Sequence, residues 1–170
     1  MSIPRPTAFP SFLLVALSLL TVAPAAPAAS PWESRSLHGD FHAEGAGVGD
    51  LNGDGHPDLA YGPFWFAGPD FAEARRYTTG EPFPVVRYAD NFFSFIRDIN
   101  GDGSNDLVVI GFPGKEARLY LNPGEARGDA WPMHIIADQV CNESPHFVDL
   151  IPGGLPELVC ARDTAYGYYQ

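Results

Sequence analysis

Asp98-Ile99-Asn100-Gly101-Asp102-Gly103-Ser104-Asn105-Asp106-Leu107 decides the fold, because Asp50-Leu51-Asn52-Gly53-Asp54-Gly55-His56-Pro57-Asp58-Leu59 repeats it without a gap. A third stretch, Asp149-Leu150-Ile151-Pro152-Gly153-Gly154-Leu155-Pro156-Glu157-Leu158, keeps the frame and loses part of the pattern. The leading aspartates lie 48 and 51 residues apart. The similarity extends upstream: Trp32 and Trp131 each stand 18 residues before their aspartate, and Leu37, Val85 and Ile136 each stand 13 before it. A period this long marks a supersecondary unit that must stack on its neighbours to bury a face.

Within a unit the signals are those of strands. Phe92 to Arg97 leads into the second loop, Asp106 to Ile110 leaves it, Ala117 to Leu121 alternates, and Trp131 to Ile136 closes the unit. Gly111-Phe112-Pro113-Gly114 and Asn122-Pro123-Gly124 supply turns between them. Sustained helical periodicity is missing, and the 17 Pro and 18 Gly of the chain would break it. The expected class is all-β: about three four-stranded antiparallel units, the blades of a partial β-propeller.

The loop itself reads as a calcium site. Hard oxygen ligands fall at positions 1, 3, 5 and 9, a glycine at position 6 permits a sharp turn, and the position 7 carbonyl adds a backbone oxygen. Two sites are expected, one from Asp50, Asn52, Asp54, His56 and Asp58, the other from Asp98, Asn100, Asp102, Ser104 and Asp106. Three carboxylates in one short loop repel one another unless a cation lies between them. The helix-flanked calcium loops that open with the same letters need a bidentate Glu at position 12. Tyr61 and Val109 stand there, so the loop joins strands. In the third copy Ile151 and Gly153 replace two ligands, and no metal is expected.

These two loops closely resemble the FG-GAP or VCBS repeat, the blade unit of integrin α-subunit propellers and of many exported bacterial proteins. Ala43-Glu44-Gly45-Ala46, Gly62-Pro63-Phe64-Trp65, Asp90-Asn91-Phe92-Phe93 and Asn142-Glu143-Ser144-Pro145 are similar to a bacterial subfamily of such proteins, so the resemblance covers the chain from Trp32 onward. It implies a propeller with calcium in structural positions and a binding or adhesion role. Propellers usually have four to eight blades, whereas about three fit before Tyr168-Tyr169-Gln170. A truncated product is therefore expected, the alternative being open blade edges that self-associate.

The resemblance also implies that the calcium loops share one face and that a protein or glycan ligand meets the other. Glu44, Trp65, Asn91, Asn142, Glu143 and His146 are the candidate ligand-face residues. A lectin-like or polysaccharide-lyase activity is the alternative function. Catalysis otherwise finds little support: His42-Ala43-Glu44 matches the His-x-Glu of zinc deaminases without the Pro-Cys-x-x-Cys that accompanies it, and the five histidines are scattered.

Composition adds limits. Arg5, an apolar run from Phe12 to Val22 and the small residues Ala23 to Ala29 read as a secretory signal peptide over residues 1–28, ahead of a repeat region over 29–170. Export to the periplasm, the cell surface or the medium follows, with no membrane span after cleavage. Without residues 1–28, which hold one Arg and no acid, 9 basic face 21 acidic residues. That sign argues against nucleic acid, whose phosphates need a basic patch, and favours cations. Cys141 and Cys160 show no zinc spacing. A disulfide between them closes a loop of about 20 residues, worth roughly 3 kcal/mol; the competing reading is two buried thiols acting as small hydrophobes.

Overall fold

A computed structural model describes residues 32–170, with one compact unit over Arg35–Gln170. The signal segment lies outside the described residues. Every regular element among the described residues is a strand, so the all-β expectation holds. Three antiparallel sheets follow one another in chain order: β1 (Gly47–Gly49), β2 (Asp58–Tyr61), β3 (Phe64–Phe66) and β4 (Ala74–Arg76) form the first. The second contains β5 (Phe93–Arg97), β6 (Asp106–Ile110), β7 (Lys115–Tyr120) and β8 (Met133–Val140). The third has three strands instead of the expected four: β9 (His146–Val148), β10 (Glu157–Arg162) and β11 (Ala165–Tyr169).

Each sheet is a meander, in which every strand pairs with the next along the chain. Short Gly- and Pro-containing turns make this the accessible topology, since an antiparallel pair needs only a hairpin whereas a parallel pair needs a long crossover. The registers of the first two sheets correspond. Gly49 faces Asp58 across β1 and β2, and Arg97 faces Asp106 across β5 and β6, so each repeat loop bridges the first and second strands of its sheet.

The core lies between sheets. β6 is buried at all five positions, which explains why Asp106-Leu107-Val108-Val109-Ile110 reads as a continuous apolar run after its first residue instead of alternating. Leu107 and Val109 join Leu51, Trp65, Tyr77, Tyr120 and Trp131 in a cluster that links the first two sheets. Ile110 joins Ala117, Val140, Leu158 and Cys160 in a second cluster that links the second and third. The first strands approach closely: a Cβ on Gly49 would fall 2.7 Å from Ile96 Cγ2. Glycine there lets the Ile96 side chain of β5 pack directly on the backbone of β1.

Both cysteines are free thiols, so of the two readings the one that treats them as small hydrophobes describes them better than a Cys141–Cys160 bond does. Cys160 sits in the second cluster at 2% exposure, and burial raises its pKa, which disfavours the reactive thiolate. Cys141 is only half-buried and gives its N–H to Ala161 O at 2.8 Å. In a native-state alkylation experiment read by mass spectrometry, Cys141 is expected to react well before Cys160, which reacts only once the chain unfolds. Equal labelling rates would contradict this placement.

Candidate metal loops and the opposite edge

Each repeat loop is wound around its leading aspartate. Gly53 N–H donates to Asp50 Oδ1 at 2.7 Å and Gly55 N–H to Asp50 Oδ2 at 2.9 Å; the matching bonds to Asp98 come from Gly101 at 2.8 Å and Gly103 at 3.0 Å. The position 6 glycines make this winding possible, with φ of 85° at Gly55 and 90° at Gly103. The third ligand position is held in the same way in both copies. His56 N–H reaches Asp54 Oδ1 and Ser104 N–H reaches Asp102 Oδ1, each at 2.8 Å. Asn52 Nδ2 donates to Asp54 Oδ2 at 2.9 Å, and Asn100 Nδ2 to Asp102 Oδ2 at 2.8 Å. Those backbone bonds, and then the Asn side chains, hold the Asp54 and Asp102 carboxyls below the ordinary carboxylate range, so both stay charged.

The ninth position does different work. Asp58 is fully buried, and its carboxylate accepts N–H groups from Leu51 at 2.7 Å, Asn52 at 3.2 Å and Gly68 at 2.9 Å. Asp106 is equally buried and accepts from Ile99 at 3.0 Å and Asn122 at 2.8 Å. Burial raises its pKa, the backbone donors acting against that rise. These two carboxylates tie the loop to the turn that follows the third strand of the sheet. In the third copy Glu157 Oε2 accepts from Leu150 at 2.8 Å and Ile151 at 3.2 Å, while its buried Oε1 has no partner.

Hard oxygens, charged carboxylates and positive-φ glycines suit a calcium ion, with Asp50, Asn52 and Asp54 in one loop and Asp98, Asn100 and Asp102 in the other on the outer side. The carboxylates of a loop do not converge as tightly as another group does. Among the described residues, the set of three His, Cys, Asp or Glu side chains whose ligand atoms all lie within 4.8 Å of one another is His38, Asp40 and His42. Histidines taken singly gave no hint of it. The alternate spacing His38-Gly39-Asp40-Phe41-His42 was the available signal, since alternate residues of an extended segment point the same way.

The residues expected on the opposite face are only partly there. Trp65 is wholly buried within β3, so it meets no external ligand. Gly62 and Pro63 form a two-residue turn ahead of that strand, and Phe64-Trp65-Phe66 is apolar enough to be covered on both faces. Glu44 Oε1 accepts Ala89 N–H at 3.0 Å, and Asn142 Oδ1 accepts Ala161 N–H at 2.8 Å. Asn91 is buried, accepts Ser94 Oγ–H at 3.3 Å, and lines a small cleft with His42, Tyr77, Asp90 and Arg118. Glu143 and His146 remain exposed. No helix among the described residues is long and apolar enough to cross a membrane. Set against protein-family models, curated proteins and solved structures, the chain finds no match.

Proposed function

We propose that this chain is an exported calcium-binding repeat protein of the FG-GAP or VCBS type, its sheets the blades of a propeller that serves as a binding or adhesion scaffold. One observation carries the reading: two loops 48 residues apart hold the same oxygen ligands in the same hydrogen-bond pattern. Calcium in each loop neutralises like charges that share one turn, Asp50 with Asp54 and Asp98 with Asp102. The ions are structural, since the loops lie on strand connections and each carries a buried carboxylate tied to backbone.

Calorimetric titration of the full chain with calcium is expected to show two equivalents, falling to one in Asp102→Ala. At a free concentration a hundredfold above the dissociation constant, each ion adds about 2.7 kcal/mol of stability. The melting temperature therefore rises with calcium and falls with chelator. A chain that takes up no calcium at about 1 mM, the weak end for extracellular sites, would sink the reading. A glycan array run in calcium and again in chelator distinguishes a sugar partner from a protein one.

A further inference from the structure

We propose that His38, Asp40 and His42 form a site for one divalent transition-metal ion of the zinc class, separate from the oxygen-only loops. Two imidazoles and one carboxylate are the donors such ions take, and calcium and magnesium do not favour imidazole. Three protein ligands leave a coordination position open to water or to a small ligand.

Three features of the chain point to a built site. The ligand atoms already lie within 4.8 Å of one another. A tetrahedral zinc ion holds its ligands roughly 3.3 Å apart, and the short inward movement falls to Asp40, which is exposed, and His38, which is half-buried. His42 is 4% exposed, and its buried Nδ1 has no hydrogen-bond partner, a loss that a bound cation would make good. Its ring stands edge-on to that of His38 at 5.1 Å between centroids, and both pack on Phe64, at 5.1 Å and 4.6 Å.

The backbone between the ligands is held from β2. Tyr61 Oη accepts His42 N–H at 3.0 Å and donates to Asp40 O at 3.1 Å. His38 Nδ1 accepts the Asp40 backbone N–H at 3.1 Å, so its lone pair lies beside that backbone and a cation that takes it displaces this bond. Asp40 N–H is exposed, and water takes it over when a cation claims that lone pair. Tyr61 is thus a positioning residue, which touches no metal and fixes the segment that carries all three ligands.

The test uses the untagged full chain carrying Cys141→Ser, which removes the half-buried thiol as a competitor, in excess calcium so that the loops do not take zinc. Calorimetry with Zn2+ and visible absorption with Co2+ are expected to show one equivalent bound, with ligand-field bands for cobalt. His38→Ala and Asp40→Asn lose that uptake, and the melting temperature of the zinc-free Asp40→Asn chain stays unchanged. Tyr61→Phe weakens it about 10- to 100-fold. Because Asp40 is exposed, its variant separates lost ligation from lost folding, which the buried His42 cannot do. No zinc uptake, or one equivalent undiminished in both His38→Ala and Asp40→Asn, overturns the site. Neither result bears on the calcium stoichiometry, which is measured without zinc.

Discussion

Asp58→Ala is expected to lower stability by about 3–5 kcal/mol in chelator, where no calcium contributes. Three backbone N–H groups, from Leu51, Asn52 and Gly68, end on this one carboxylate. Each buried donor left without an acceptor costs about 1–3 kcal/mol, and partial relaxation of the loop keeps the total below the simple sum. Asp58→Asn preserves the shape but turns an NH2 toward one of those donors, so a loss nearly as large is expected. Asp54→Ala is the control: its side chain is on the exposed side of the loop, and in chelator the change stays within about 0.5 kcal/mol. Urea unfolding with a constant m-value measures all three. If Asp58→Ala and Asp54→Ala unfold at the same urea concentration in chelator, the buried carboxylate is not the structural tie described above.

Trp65→Ala should lower stability by a comparable amount, about 3–5 kcal/mol. The indole is wholly buried and belongs to the cluster that links the first two sheets, so its removal leaves a cavity that neighbours on two different sheets cannot both fill. The Arg75 guanidinium lies 5.1 Å from the ring centroid and adds a contact of about 0.5–1 kcal/mol that is lost as well. Trp65→Phe is expected to be much milder. The indole Nε1 is buried without an acceptor, so phenylalanine removes an unsatisfied donor together with some packing. A loss under about 1 kcal/mol for Trp65→Ala, read from the same urea curves, would show that the first sheet does not depend on this contact.

Elements with a strong local signature were legible in the sequence. Asp106 to Ile110 matches β6 residue for residue, since a β-branched run between two turn signals has few other uses. The oxygen ligands and glycines of the loops were equally plain, because the winding around Asp50 and Asp98 is made within nine residues. β4 was not legible: Ala74–Arg76 is exposed throughout and carries no alternation, being held by its pairing with β3. Trp65 was misplaced because Gly62-Pro63 and Gly68-Pro69 on either side suggest a loop, while the three aromatics between them are just enough for a strand. The division of labour within each loop was invisible as well. Asp58 and Asp54 are the same residue type four positions apart, and the N–H groups of Leu51 and Asn52 together with Gly68 from beyond β3 make one of them internal. The cluster of His38, Asp40 and His42 depends in the same way on Tyr61, a residue about 20 positions later.

Adjacent loops are also fastened to each other. Asn105 Nδ2 donates to Asp50 O at 2.6 Å, and Asn122 Nδ2 donates to Leu51 O at 2.7 Å and to Asn105 O at 2.9 Å. The first loop therefore borrows its rigidity from the second, and an ion that stiffens one lowers the ordering entropy left for the other. If both loops take an ion as proposed, reciprocity makes each site help the other to the same degree. The position matching Asn105 in the third repeat is Pro156, which has no side-chain donor, and the contact there is the exposed ion pair of Arg97 with Asp149 at 3.0 Å. At the level of the loops the second coupling is thus the weaker, while the second and third sheets still share the cluster around Ile110, Val140 and Leu158. The first two loops are then set to open together and the third on its own.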